Sequence, residues 1–235
     1  MMQVLCKAIA GVAVAGVMLV GATVPSAARD WTGFYIGGHV GGAWTDAQWD
    51  DISLTAERVV FDGSGVIGGA HAGYLHQFNN VVVGVEVSYS GLNVDETVRS
   101  AVVPATVAYS SQVDDLFTAT ARLGVASGNW LFYAKGGFAS ADIEYRGAEA
   151  AIPDSFTNSK RSSGWVVGGG VEWLVTSNVM LGIEYLHVSL DGETLTGQTA
   201  TGIPYTLTGA DLEMSSVMAR LSYKFGSHDR YAPLK

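Results

Sequence analysis

Seven charged residues stand singly among small or apolar neighbours: Glu86, Arg122, Lys135, Glu172, Glu184, Arg220 and Lys224. Carboxylates of this kind could do acid–base work. Four cations against three anions suit mutual pairing better. Buried ion pairs are weak evidence for net stability, so their expected value is to fill space and fix register. The histidines are His39, His71, His76, His187 and His228. None has the spacing of a known metal site, so no metal is expected. His187 beside a loop serine would mimic a lipid hydrolase, but no motif accompanies it. Gly63-Ser64-Gly65-Val66-Ile67-Gly68 matches G-x-G-x-x-G, with Glu86 downstream. A dinucleotide site needs a helix opening at those glycines. Val66 to Gln77 carries Gly68, Gly69 and Gly73 and no helical stripe, so no cofactor and no catalytic residue is expected.

The elements that hold these charges show a period of two, which signals strands. In Val81 to Ser90, Val81, Val83, Val85, Val87 and Tyr89 share one face. Val82, Gly84, Glu86, Ser88 and Ser90 share the other. Phe117 to Val125, Val179 to His187 and Val217 to Phe225 alternate likewise. Eight such segments lie near 32–44, 65–78, 81–92, 114–125, 130–143, 163–174, 178–190 and 213–225. Asn79-Asn80, Ala126 to Asn129 and Val175 to Ser177 are short connections. Long ones cover roughly 45–64, 93–113, 144–162 and 191–212. Alternating short turns and long loops with an even strand number describe an outer-membrane barrel. The predicted fold is all-β: an eight-stranded antiparallel up-and-down transmembrane β-barrel with short periplasmic turns and four long extracellular loops. Asn79-Asn80 suits a type I′ turn and would pair Phe78 with Val81. The next short connection would pair Val125 with Trp130. Both pairs are apolar, as one shared face requires.

Which face meets solvent follows from the charges. A soluble barrel keeps its apolar face inside. Its outer face would here be too glycine-rich and charge-poor. Inside a membrane barrel, the seven charges can pair across a narrow lumen. The apolar face then meets lipid, where a midplane charge costs about 2–4 kcal/mol. Aromatics fall in two belts. Trp31, Phe78, Trp130, Trp173, Tyr223 and Phe225 lie near the short turns, and Trp44, Tyr89, Trp165 and Tyr185 near the loops. Eight strands enclose a lumen that side chains fill, which explains the glycines of "DWTGFYIGGHVGGAW" at Asp30 to Trp44. Gly37 and Gly41 face inward with Tyr35 and His39, leaving room for larger groups opposite. Setting Gly33 opposite Gln77 puts His39 directly across from His71 in the lumen, where two imidazoles would resist double protonation. The pair reads first as two neutral histidines hydrogen-bonded in a polar lumen, and second as a chance transition-metal site lacking its third ligand.

Of 235 residues, 48% are hydrophobic and 15% charged, and the net charge of −9 argues against nucleic acid. Lys7, the uncharged run Ala8 to Val24 and Ser26-Ala27-Ala28 fit a secretory signal peptide cleaved before Arg29. Cleavage removes Cys6, the only cysteine. The expected domains are a signal peptide over 1–28, a barrel over 29–225 and a tail over 226–235. Acidic residues gather in the first loop (Asp46, Asp50, Asp51, Glu57, Asp62, facing Arg58) and the last (Asp191, Glu193, Asp211, Glu213). Hard divalent cations take carboxylate oxygens and could bridge this rim to lipopolysaccharide phosphates.

"WTGFYIGGHVG" at Trp31 to Gly41, "GGAHAGY" at Gly68 to Tyr74 and "ARLSYKF" at Ala219 to Phe225 resemble the opening, second and closing strands of the opacity-protein-like outer-membrane β-barrels. These include small porin-family surface proteins of rhizobia-like and brucella-like bacteria. The resemblance implies a cell outer membrane location, contact with outer-membrane lipids and lipopolysaccharide, and insertion by the barrel-assembly machinery. It also implies a structural and surface-interaction role in the cell envelope. Despite the porin label, eight strands with Tyr35, Glu86, Arg122, Tyr133, Lys135, Glu184 and Arg220 inside leave no open pore to expect, and no catalytic motif gives reason to expect an enzyme. Some members of that family are surface antigens, adhesins or haem binders, so a loop-mediated receptor for an extracellular ligand is the alternative. A lipid-modifying barrel enzyme is a further one. Such barrels usually end at the final aromatic; here "GSHDRYAPLK" follows Phe225.

Overall fold

A computed structural model describes residues 29–50, 58–93, 96–99, 107–149, 154–191, 194–198, 204–208 and 212–226. The strands are β1 (Gly33–Asp50), β2 (Arg58–Phe78), β3 (Val81–Asn93), β4 (Glu96–Arg99), β5 (Val107–Ser127), β6 (Trp130–Glu149), β7 (Asp154–Leu174), β8 (Val179–Leu190), β9 (Thr194–Gln198), β10 (Pro204–Thr208) and β11 (Leu212–Lys224). Eight of them form the wall in the order β1-β2-β3-β5-β6-β7-β8-β11, and β11 returns to pair with β1 from Tyr35↔Lys224 to Ala47↔Leu212. All these pairings are antiparallel. Closure leaves the wall without an edge, which hydrocarbon requires because it offers backbone groups no partner. The short strand β4 pairs with β5, and the β9–β10 hairpin meets the outer end of β1.

The outer face follows from the alternation. Phe34, Ile36, Val40, Val85, Val87, Leu123, Ile183, Leu181 and Leu221 are exposed on the wall. Near the two ends of this band stand Trp130, Trp173, Phe78, Tyr223 and Phe225, and Trp44, Tyr89 and Trp165. Trp130 and Trp173 are directly opposed, with ring centroids 5.9 Å apart. Trp31 departs from the expected belt. It is fully buried and turns into the lumen.

Three boundaries differ from the sequence reading. First, the wall runs past the apolar alternation: Thr45 to Asp50 pairs with Gly63 to Arg58, and Glu144 to Glu149 with Ser159 to Asp154. Much of the expected first and third loops is therefore hairpin. Ladder hydrogen bonds continue into water, where apolar alternation has no reason to persist. Second, the turn after β5 is shorter. Ser127 pairs with Trp130 and Val125 with Phe132, around Gly128-Asn129. Gly128 has φ 60°, which lets the chain reverse in two residues. The parity of faces survives, because the shift is two residues. At the preceding turn Phe78 does pair with Val81, and Asn79 adopts φ 56°.

Third, β1 and β2 are offset by two residues from the expected register. Gly33 lies opposite Leu75, so His39 faces Gly69 and His71 faces Gly37. The cause lies at the base. Gln77 is spent on holding the incoming chain: its side chain accepts the Trp31 N–H at 2.8 Å, and its own N–H donates to the Thr32 hydroxyl at 3.1 Å. Strand pairing begins only beyond that clamp.

Candidate functional site

The lumen is filled in layers. At the periplasmic end Trp31, Leu75, Val82, Leu131, Leu174 and Met180 make an apolar floor. Lys224 Nζ donates to the Asp30 carbonyl beside it. Above the floor lies a layer of six charges. Over that come His39, His71, Ser88, Ser90, Thr118 and Ser222, all buried. The extracellular half is apolar again, with Ile67, Leu92, Leu116, Val166, Val188 and Met218 among its side chains. The alternation that separates in from out says nothing about this layering along the axis.

Glu86 on β3 is the hub of the charged layer. It meets Arg122 at 3.3 Å, Lys135 at 2.8 Å and Arg220 as a direct ion pair, and it accepts the Tyr35 hydroxyl at 2.7 Å. Glu184 on β8 meets Lys135 at 2.8 Å and Arg220 at 2.6 Å, and accepts the Tyr133 hydroxyl at 2.6 Å. Glu172 on β7 stands 3.0 Å from Arg122 and 3.5 Å from Arg220, without a well-directed hydrogen bond. It is held by charge more than by geometry. The Arg122 guanidinium lies 3.7 Å from the Tyr133 ring centroid, a cation–π contact. Three carboxylates and three cations make the layer neutral. Each of the six is at most 5% exposed. Lys224 is buried at the end of β11, on the rung of Tyr35 and Glu86, with its ammonium directed to the Asp30 carbonyl at the floor.

Glycines make room for the two tyrosines. A Cβ on Gly73 would come within 2.5 Å of the Tyr35 hydroxyl, and one on Gly170 within 2.7 Å of the Tyr133 hydroxyl. Tyr35, Gly73 and Glu86 share one rung across β1, β2 and β3; Tyr133, Gly170 and Glu184 share one across β6, β7 and β8. The wall is a repeat. "NVVVGVE" at Asn80 to Glu86 returns as "NVMLGIE" at Asn178 to Glu184, and "ARLG" at Ala121 returns as "ARLS" at Ala219. Tyr35, Glu86 and Arg122 recur as Tyr133, Glu184 and Arg220 at one constant interval. The sequence carried this signal, in matches too short to stand out without the register.

His39 and His71 are both in the lumen, 8% and 2% exposed, with their Nδ1 atoms 3.2 Å apart. They meet diagonally, across one rung, and not by direct opposition. His187 is on the outer wall, directly opposite Ser215, whose hydroxyl lies 3.1 Å from its Nδ1 and 3.1 Å from the Tyr185 hydroxyl. The partner is a strand serine, not a loop serine. Among the described residues no carboxylate contacts the imidazole, which a Ser–His nucleophile would use for orientation. At the outer end Asp46 is directly opposite both Asp62 and Glu213. Asp51, Glu57, Glu193, Asp211 and His228 lie outside the described residues.

A closed barrel with an apolar outer band, aromatic belts and a charge-filled interior is an outer-membrane β-barrel. The chain belongs to the outer membrane protein beta-barrel domain family, whose model matches residues 12–225. It is 27% identical to a 31 kDa outer-membrane immunogenic protein of Brucella melitensis, over 83% of this chain and 84% of that protein. It is 29% identical to a 22 kDa outer membrane protein of Rhizobium leguminosarum bv. viciae, over 68% of this chain and 64% of that one. Among solved structures, the outer membrane protein OprG of Pseudomonas aeruginosa superposes with a TM-score of 0.61 at 15% identity, over 84% of this chain and 98% of OprG. The chain is a protein of the cell outer membrane, and its wall faces lipid.

Proposed function

We propose that this protein is a closed wall element of the outer membrane, structural in the envelope and interactive at the cell surface. The observation that carries the reading is the neutral six-charge layer across the lumen, backed by the apolar floor. Such a plug leaves no wide aqueous path. Planar-bilayer recordings of the folded protein should show little steady conductance; a large, reproducible single-channel step would defeat the proposal. The lumen carboxylates are all engaged by cations, which supports a non-enzymatic role. Residues 1–28 serve as a cleaved signal peptide, and the barrel-assembly machinery inserts the rest.

At the rim, Asp46, Asp62 and Glu213 occupy neighbouring register positions on three strands. Hard divalent cations take carboxylate oxygens, and one shared between acidic residues of this rim and lipopolysaccharide phosphates would anchor the barrel in the outer leaflet. Lipopolysaccharide should therefore stabilise the barrel in calcium and lose that effect in a chelator. Equal stabilisation in both would remove cation bridging from the proposal. A second reading, a loop-mediated receptor for haem or a host surface, draws support from the hairpins that rise past the apolar band. The Brucella relative is named for its immunogenicity, which fits exposure of such hairpins. Retention of the folded barrel on haem-agarose would favour the receptor.

A further inference from the structure

The repeated halves part company one rung above the tyrosines. In the second half that rung pairs Lys135 with Gly168. In the first it pairs Gly37 with His71. The large side chain comes from the opposite strand, and a Cβ on Gly37 would sit 2.6 Å from His71 Nε2. The room so made brings His71 against His39. Their Nδ1 atoms are 3.2 Å apart, their centroids 5.5 Å apart and their planes within 23°. That centroid separation is what two rings span when they meet head on, nitrogen to nitrogen. Each outer nitrogen is held by a hydroxyl that reaches it across an intervening glycine, from the next strand but one: His39 Nε2 by Ser90 Oγ at 2.9 Å, past Gly69, and His71 Nε2 by Ser222 Oγ at 2.7 Å, past Gly37.

A serine hydroxyl accepts as readily as it donates. Without an ion, one imidazole carries its proton on Nδ1 and donates to the other. With both Nε2 atoms protonated and donating to serine, two Nδ1 lone pairs converge on one line, where a cation takes the place of that proton. We propose that His39 and His71 form a linear, two-coordinate site for a monovalent d¹⁰ cation, Cu(I) or Ag(I). With bonds of the length zinc makes to imidazole, about 2.0–2.1 Å, the nitrogens need part by about 1 Å from their 3.2 Å separation. The hydroxyls supply the outer hydrogen bonds that orient ligating imidazoles. Among the described residues no group of three or more His, Cys, Asp or Glu could hold a metal, which disfavours ions that need four ligands. Arg220 is the rung neighbour of His39, and Glu86 and Glu184 already neutralise it. The layer beneath is neutral, so a single added charge suits it better than two.

Silver is the probe, because it binds without redox chemistry. The full chain carrying Cys6→Ala, folded in detergent, is titrated with Ag(I) while imidazole ¹⁵N shifts are followed. The expected result is a silver-dependent shift of Nδ1 in His39 and His71, with His76 and His187 unmoved. Gel mobility before and after boiling shows which variants are folded. His71→Gln should abolish the shift at His39. Should that variant not fold, Ser222→Ala is the second test, with affinity lowered about 10–100-fold by loss of an orienting partner. No shift at either Nδ1, a shift that survives His71→Gln, or an affinity unchanged in Ser222→Ala would overturn the proposal.

Discussion

The two halves of the wall share a tyrosine, a glutamate and an arginine, and differ in what stands above them. Over Glu86 the first half continues with Ser88 and Ser90; over Glu184 the second continues with Leu186 and Val188. Thr118 hydrogen-bonds Ser88 at 2.7 Å in the first half, where the second offers no such pair among the described residues. The shared part is what closure demands, because each half supplies charges that the other neutralises. The divergent part is free of that demand, and there one half has become polar. Repetition marks what the architecture needs, and divergence marks where a particular activity can be lodged.

The hub makes the halves unequal, and removing it tests that inequality most severely. Glu86 faces three cations and Glu184 two. Breaking a buried ion pair from one side costs about 3–5 kcal/mol. Glu86→Gln should therefore fall at the upper end of that range, Glu184→Gln lower and Glu172→Gln lowest, in urea unfolding from lipid vesicles. Equal losses at all three would mean that the layer acts as one undivided charge cloud.

On the lipid face the halves should behave alike. Leu181 and its counterpart Val83 are both exposed on the wall. Arginine at either should cost about 2–4 kcal/mol in bilayers. Unchanged stability in Leu181→Arg would show that its strand is placed the wrong way round. Smaller effects are expected inside. Gly73→Ala and Gly170→Ala each push a methyl against a tyrosine and, closer still, against a backbone carbonyl of the next strand, Val85 at 2.4 Å and Ile183 at 2.5 Å, at a cost of about 1–3 kcal/mol by overpacking. Gly73→Ala should be the worse of the two, since its Cβ meets Tyr35 at 2.5 Å against 2.7 Å for Gly170 and Tyr133. Thermal unfolding of the two variants side by side reads the difference.

Facing was legible in the sequence because a bilayer imposes it residue by residue: Val85 outward and Glu86 inward follow from period two alone. The turn at Asn79-Asn80 was legible because few residues tolerate its backbone. Register between β1 and β2 was not, since it rests on Gln77 side-chain bonds to a segment outside the ladder. Trp31 was misplaced for the same reason: belts predict where a tryptophan goes within a strand, and Trp31 precedes one. The layering of the lumen escaped because inward residues of different height look alike in an alternating string. Glu86 and Leu186 both read simply as inside.

The seal at the base has a consequence in time. The Lys224 ammonium reaches the Asp30 carbonyl, and the Phe225 amide reaches the Phe34 carbonyl. The earliest and latest parts of the barrel chain are thus two halves of one stopper. Until the last strand pairs with β1, Trp31 has no finished ring to fill. The floor is therefore complete only when both ends of the barrel chain are in place, and a barrel one strand short would lack it.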